Sequence, residues 1–297
     1  MCRVLGVSRS CFYGWRIRQD RPPGLRRCRQ EQVDVAVAAS CAESHGIYGA
    51  RKVVAELRRV GEVRPCRVTV ARSMRRQGLE SRVIRRRRPR ITLADPNATA
   101  APNLLDRDFV AEAPNRKWAA DITYVPTDQG WAYLAVILDL FSRRIVGWAM
   151  ADHLREELVE AALHDAVKQR TVEDGLLHHS DRGSQYTAAD YRRMTCELLK
   201  MTPSMSRTGD CYDNAVVESF NGAYKREWMR HATYPDLAAA RLDFMRYVRF
   251  YNGRRLHQTL GYQTPDEHEA AFTERHRHPR PSPSSQPVAS PRGEAVT

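Results

Sequence analysis

The 297 residues carry a net charge of +13 and 42% hydrophobic side chains, enough apolar surface for a packed core and too much for a disordered chain. No apolar run approaches a membrane span, and the first residues lack the apolar stretch of a signal peptide, so a membrane partner is excluded and a cytoplasmic, nucleoid-associated protein is expected. The seven cysteines form no Cys-x-x-Cys pair, which argues against a disulfide framework. Cys41 and His45 have no second pair nearby to complete a zinc site. The charge is unevenly spread: residues 1–92 hold 23 Lys+Arg against 7 Asp+Glu, and the remainder 25 against 28. A basic front joined to a near-neutral body reads as a nucleic-acid grip attached to a catalytic unit.

At the start, residues 1–28 read as part of a helix-turn-helix. Leu5-Gly-Val-Ser supplies a turn, Ser8 an N-cap, and the short helix that follows offers Arg9 and Arg16 to DNA. Too few residues precede the turn for a supporting helix, so either the frame begins upstream or the segment is fused to an upstream-frame product. Pro22-Pro23-Gly24 closes it.

Residues 29–92 read as a basic helical module. Val33, Val37 and Cys41 recur at spacing four, and Val53, Val54 and Leu57 form the stripe of a second helix that exposes Arg51 and Lys52. A third helix from about 65 turns Val68, Val70 and Met74 inward and Arg72 and Arg75 outward. Such helices can read bases or lie along phosphates, and the pattern allows both. Arg85 to Arg88, followed by Pro89, form a charge run that leads into a linker bounded at 93–112, and the run is expected to track a DNA backbone.

From 113 to 270 the pattern changes. Strands are expected at 117–126, 131–140 and 144–150, a helix at 154–169, a strand at 175–180, and a helix at 188–200. A short extended piece at 203–206 and helices at 213–230 and 236–252 follow. Three antiparallel strands and then alternating helix and strand predict an α/β fold, a ribonuclease H-like mixed five-stranded sheet with flanking helices. Residues 271–297, rich in Pro, Ser, His and Arg, read as a disordered tail.

Three acidic residues sit where this fold places chemistry. Asp121 lies in the β-prone run Trp118-Ala-Ala-Asp-Ile-Thr-Tyr124, on a face shared with Ala119 and Thr123. Asp181 ends the stretch Leu176-Leu-His-His-Ser-Asp181, beside Gly183. Glu218 falls on a helix begun by Asp213 as N-cap, with Val217, Phe220, Tyr224 and Trp228 as its core stripe. Asn221 and Lys225 share the Glu218 face, Lys225 about 10 Å further along the axis, near a flanking phosphate. Two carboxylates at strand ends and a third from a helix suit two-metal phosphoryl transfer. Mg²⁺ takes oxygen ligands and keeps several waters, so a few carboxylates suffice. Asp139 is read as structural, paired with Arg143 or Arg144. His178 and His179 face opposite ways in a strand, so at most one supports the site. Tyr251 and Ser184 are rejected as recombinase nucleophiles. Trp131, Tyr133, Phe141 and Trp148 are read as core.

Trp118…Asp121-Ile-Thr-Tyr124, Leu138-Asp-Leu-Phe-Ser-Arg143, His179-Ser-Asp-Arg-Gly-Ser-Gln-Tyr186, Ser204-Met-Ser-Arg207, Asp213-Asn-Ala-Val-Val-Glu-Ser-Phe220 and Leu260-Gly-Tyr-Gln-Thr-Pro265 resemble the second-frame transposases of the IS-three family of bacterial insertion sequences. Their catalytic core is similar to that of retroviral integrases. The resemblance covers roughly residues 40–270. It implies a DDE triad of Asp121, Asp181 and Glu218, two Mg²⁺ ions with Mn²⁺ able to substitute, and cut-and-join chemistry at the element's ends. It further implies double-stranded DNA partners, terminal repeats and target alike, and a homo-multimer that holds two ends together. One feature departs from the family pattern: 36 residues separate Asp181 from Glu218, one more than the pattern has. The surplus residue is expected within Met194–Pro203, where a shift of the following strand would impair activity. The alternative is a catalytically impaired transposon remnant acting only as a DNA-binding protein, with a structure-selective nuclease of the same fold as a further rival.

Overall fold

The computed structural model describes residues 2, 4, 6–20, 24–61, 63–82, 101–207 and 213–277. The Pro22-Pro23 stop, the Arg85–Arg88 run, residues 93–100 of the expected linker and positions 278–297 of the expected tail lie outside them. The chain divides into two compact units, Met1–Leu93 with Ser219–Asp236, and Ala94–Glu218 with Leu237–Thr297.

The first unit is helical. Helix α1 spans Arg9–Asp20, and the Ser8 hydroxyl accepts the Cys11 backbone N–H at 3.2 Å, the cap expected there. Helix α2, Leu25–Glu43, buries Val33, Val37 and Cys41. It begins before residue 29, so the boundary read between the two N-terminal segments falls inside a helix. Helix α3, Ala50–Val60, buries Val53, Val54 and Leu57 and ends on Gly61, whose φ of 86° is open to glycine without strain. Helix α4, Arg67–Arg76, buries Val70, Ser73 and Met74. Val68, expected inward, is 56% exposed: the buried positions of α4 are Val70 and, three and four residues on, Ser73 and Met74, and Val68 falls off that stripe. Asp34 on α2 accepts from Ser73 and from Arg76 at 2.7 Å on α4, fixing those two helices in register.

The second unit is a five-stranded sheet ordered β3-β2-β1-β4-β5. Strands β1 (Lys117–Thr127), β2 (Gly130–Asp139) and β3 (Ile145–Ala151) are antiparallel neighbours. Strands β4 (Leu177–Ser180) and β5 (Thr202–Met205) add in parallel. Helix α5, Glu156–Gln169, crosses between β3 and β4. It packs Leu158, Val159, Ala162, Leu163 and Ala166 on Trp118, Ala120, Ile137 and Val146, the even-numbered face of β1. At Gly147 a β-carbon would overlap the Ala162 carbonyl and the Ala166 backbone, so only glycine lets β3 lie this close to α5.

The short helices α6 (Ser184–Thr187) and α7 (Ala189–Arg192) run into a π-helical turn, Arg193–Leu198, where a single α-helix was expected. Helices α8 (Ala215–Glu227) and α9 (Leu237–Gly253) follow. Phe244 of α9 stacks edge-on to Trp148 of β3, on the face opposite Gly147, so helices cover both faces of the sheet. This is the ribonuclease H-like architecture expected from the order of elements. Helix α10, Pro265–Arg277, runs past residue 270, so the stretch 271–277 read as disordered tail is helical. Its mostly polar sequence is held by ion pairs from Arg144 to Asp266 and from Arg170 to Glu269, which no local pattern reveals.

Two further expectations change. Residues 101–112, read as linker, are bonded to the sheet unit: Leu105 is 1% exposed, and the Leu104 and Leu105 N–H groups both donate to the Ser204 hydroxyl. Trp131, read as core, is 59% exposed and stacks edge-on with Tyr124 near the hairpin tip, where the sheet extends past its covering helices. Tyr133, Phe141 and Trp148 are half-buried.

Candidate active site

The β1–β4 ladder pairs Lys117 with Leu177, Trp118 with His178 and Ala119 with His179. Asp121 lies two residues beyond Ala119 on β1 and Asp181 two beyond His179, one past the end of β4, so the two occupy corresponding positions on neighbouring stretches of chain. Both carboxylates are half-buried. They bear on a common group, the buried Tyr186 hydroxyl, whose pKa is raised chiefly by burial and further by Tyr191, Asp181 and Asp121. Asp181 leaves β4 at a turn in which its Oδ1 accepts the Gly183 N–H at 3.0 Å. A side chain at Gly183 would crowd that carboxylate and the Gln185 amide. Burial pushes the Asp181 carboxyl above its usual range, and the Gly183 N–H pulls partly against it.

Helix α8 is tied at its start to the interior of β1. The Asn214 side-chain amide donates to the Ala120 carbonyl at 3.0 Å, one residue before Asp121. Glu218 lies one turn further, its N–H bonded to the Asn214 carbonyl at 3.1 Å, and its side chain is half-buried. Among the described residues no three His, Cys, Asp or Glu side chains converge into a metal-holding cluster. Asp121 and Asp181 thus stand at corresponding positions on β1 and just past β4, with Glu218 on α8, and the three do not form such a cluster.

The donor chemistry of the aspartates suits a divalent cation. Both offer oxygen only, the preference of Mg²⁺, and Asp181 is a carboxylate whose charged form burial disfavours, a cost that a nearby cation removes.

The supporting residues divide by face. His178 Nε2 meets the Tyr191 hydroxyl at 2.7 Å, on the α5 side. His179 lies between the Ser204 and Ser206 hydroxyls, at 2.9 and 3.2 Å, on the aspartate side. Burial lowers both imidazoles to a pKa of about 4, so both are neutral at pH 7. Asp213, expected as the α8 N-cap, instead accepts from Asn103, Arg107 and Arg207. Neither that role nor the Asn214 tie was foreseen: Arg207 is six residues from Asp213, but Asn103, Arg107 and the Ala120 carbonyl lie roughly a hundred positions away along the chain.

The expected DNA contacts are mixed in position. Arg9 and Arg16 on α1, Arg51 on α3, and Arg72 and Arg75 on α4 are exposed. Lys52 is half-buried, with its ammonium 5.1 Å from the Tyr48 ring centroid. Lys225 is half-buried. Asn221, expected at the DNA on the Glu218 face, is only 7% exposed; a side chain so covered does not present itself to a phosphate.

Comparison with known proteins places this geometry. An integrase core domain family matches residues 111–211, a second integrase core model matches 199–265, and an HTH-like domain matches 28–88. The transposase InsF of insertion sequence IS3A from Escherichia coli K12 is 39% identical over 271 residues, spanning 91% of this chain and 92% of that protein. An uncharacterized 31 kDa protein of insertion element IS600 from Shigella sonnei is 39% identical over 278 residues, 93% of this chain and 98% of that one. Among solved structures, the HTLV-2 integrase catalytic core domain in complex with magnesium aligns with a TM-score of 0.43 at 16% identity, over 53% of this chain and 98% of its own. The simian T-cell lymphotropic virus intasome aligns with a TM-score of 0.46 at 18% identity, over 67% of each chain. An integrase-type core, an HTH-like domain and near full-length identity to InsF agree: the chain belongs to the IS3 family of insertion-sequence transposases.

Proposed function

We propose that the chain cuts DNA at insertion-sequence ends and joins them to target DNA, using Asp121, Asp181 and Glu218 as a DDE triad. The observation that supports this reading is the parallel β1–β4 pairing, which ends two residues short of Asp121 on one side and of Asp181 on the other, with Asn214 at the start of α8 bonded to Ala120. Asp121, Asp181 and Glu218 would hold two Mg²⁺ ions, the aspartates foremost and Glu218 completing the set, and Mn²⁺ can substitute. When bound, the ions supply an activated oxygen nucleophile and neutralise charge on the non-bridging and leaving oxygens. Glu218 orients the attacking water in the first step and the freed 3′-hydroxyl in the second. Lys225, two turns along α8, takes the phosphate flanking the scissile bond. Attack is direct, with no covalent protein–DNA intermediate. The exposed arginines of α1, α3 and α4 hold double-stranded terminal repeats, and pairing of two ends requires a homo-multimer.

The surplus residue between Asp181 and Glu218 fits an active enzyme. A π-turn takes one residue more than the α-turn it replaces, and one occurs at Arg193–Leu198, all but its first residue inside the Met194–Pro203 stretch expected to absorb the insertion. Beyond it β5 pairs with β4 without a break, Leu177 with Thr202 through Ser180 with Met205. The second reading, a DNA-binding remnant, is favoured by one observation, the absence among the described residues of a three-carboxylate cluster.

Strand transfer of a labelled terminal-repeat duplex into plasmid DNA with Mg²⁺ separates the two, the repeat being taken from the gene's flanks and any upstream frame supplied as a fusion. Joined product from the wild type and none from Glu218→Gln is the expected outcome. Repeat binding without joining by either protein would establish the remnant, and a trapped phosphotyrosine or phosphoserine adduct would refute the mechanism.

A further inference from the structure

The Asp213 carboxylate is fully buried, yet it sits between two guanidinium groups. Its Oδ2 accepts from Asn103 Nδ2 at 2.8 Å, from the Arg207 backbone N–H at 2.8 Å and from Arg207 Nε at 3.1 Å. Its Oδ1 accepts from Arg107 Nε at 3.2 Å and from Arg207 Nη2 at 3.1 Å. These bonds, those from Arg207 foremost, hold its pKa far below the usual carboxylate range. The carboxylate is therefore charged at any working pH, and its bonds are charge-assisted, about twice as strong as neutral ones.

The partners come from two places. Arg207 lies just past β5. Asn103 and Arg107 belong to the segment bound along the sheet unit ahead of β1. In that segment Asp106 and Arg107 adopt φ values of 41° and 63°, the left-handed region that non-glycine residues enter at a cost. The conformation is held from three sides. Asn103 Oδ1 accepts the Asp106 N–H, Arg207 Nη2 reaches Asp106 at 2.9 Å, and Arg107 reaches Asp213. Two successive strained residues persist only where surrounding bonds over-determine them, and here those bonds converge on Asp213.

Immediately after Asp213, Asn214 ties the chain to the Ala120 carbonyl, and its own carbonyl takes the Glu218 N–H. Two adjacent residues thus fasten the entry to α8, one to the end of β5 and the pre-core segment, the other to β1 next to Asp121. We propose that Asp213 is a positioning residue that sets where the Glu218 carboxylate stands relative to Asp121. It rests on the DDE reading above and adds to it the device that places the third carboxylate. Asp213 acts only through α8. A displacement of about 1 Å at a reacting group costs on the order of a hundredfold in rate, so releasing one of two fastenings is felt in turnover before it is felt in folding.

The test compares wild type, Asp213→Asn, Arg107→Gln, Arg107→Lys and Glu218→Gln. Each is assayed for single-turnover strand transfer at saturating terminal-repeat DNA, affinity for that DNA, thermal unfolding, and amide exchange over 213–218. Asp213→Asn is expected to lower the saturated rate about 10- to 100-fold, leave affinity unchanged, and speed exchange over 213–218 but not in β1 and β2. Arg107→Gln is expected to lower the rate less, about 3- to 10-fold on the same argument, because Arg207 remains, and Arg107→Lys to recover most of it. Should Asp213→Asn fail to fold, the Arg107 pair carries the same comparison. Wild-type turnover in Asp213→Asn with Glu218→Gln inactive overturns the positioning role alone. Wild-type turnover in Glu218→Gln overturns the DDE reading beneath it. Loss of rate only in proportion to loss of folded protein also overturns the proposal, since a merely structural residue behaves that way.

Discussion

Asp139 shows how much a single buried carboxylate depends on its surroundings. At the end of β2 it is fully covered, and its two oxygens accept the backbone N–H groups of Asn115 at 2.7 Å and Phe141 at 2.9 Å. Its neighbours Arg143 and Arg144 point elsewhere, to the Phe109 carbonyl and to Asp266, so the expected Arg partner is replaced by main chain. Burial raises its pKa to about 6, against the pull of those two N–H groups. A folded-state pKa above the unfolded value means stability that is complete below the unfolded pKa, near 3.8, and lost as pH rises through 6. The loss across that window is roughly 3 kcal/mol. Unfolding followed from pH 4 to 7 is expected to show this decline, and Asp139→Asn to flatten it; an unchanged slope in the variant would assign the dependence to other groups. Asp139 was legible as structural because a lone aspartate at a strand end is more often a structural residue than a metal ligand. Its partners were not, because a carboxylate next to two arginines reads as an ion pair until the backbone path is known.

At the scale of elements, helix α10 is held by charge. Arg170 and Glu269 are each 14% exposed at the side chain and pair at 2.8 Å, and the Ser142 hydroxyl donates to the same carboxylate at 2.6 Å. Removing one partner of a buried pair strands the other charge, which costs about 3–5 kcal/mol. Glu269→Ala is therefore expected to lower the unfolding free energy of the sheet unit by about 3 kcal/mol, measured by denaturant titration, while Arg170→Met with Glu269→Leu recovers much of it. A loss below about 1 kcal/mol would mean that the pair is solvated and α10 is anchored by Phe272 on Phe141 instead. The five strands and the helices α5 and α9 were legible from period and length. Helix α10 and the bound segment before β1 were not, since each is specified by partners distant in the chain.

For the whole molecule, the charge asymmetry read from the sequence acquires a surface. Arg72 and Arg75 project from α4 and Arg51 from α3, while Val53, Val54 and Leu57 of α3 and Val70 and Met74 of α4 are buried. If these arginines neutralise phosphates, the logarithm of DNA affinity falls linearly with that of salt, and each lost contact reduces the slope by about 1. Arg72→Ala and Arg75→Ala are each expected to show that reduction in binding titrations between low and moderate salt. An unchanged slope would remove α4 from the interface. The contrast between Asn221 and Lys225 belongs to this scale as well. Helical spacing put both on the Glu218 side of α8, but burial of Asn221 at 7% exposure is decided by packing that a helical wheel does not contain.

The sequence alone determined the features carried by local pattern. These are the polar-apolar periods of the strands and of α2, α3 and α5, the basic front, the β-run around Asp121, the strand end at Asp181 and the family resemblance. Each is legible because neighbouring residues in the chain encode it. Only the tertiary structure decided the corresponding positions of Asp121 and Asp181, the tie from Asn214 to Ala120 and the convergence of Asn103, Arg107 and Arg207 on Asp213. It alone exposed Trp131 at the uncovered hairpin tip and bound residues 101–112 to the sheet unit. Those outcomes depend on strand register and on side chains separated by up to a hundred positions, and burial and hydrogen-bond partnership are set by that spatial neighbourhood rather than by chain order.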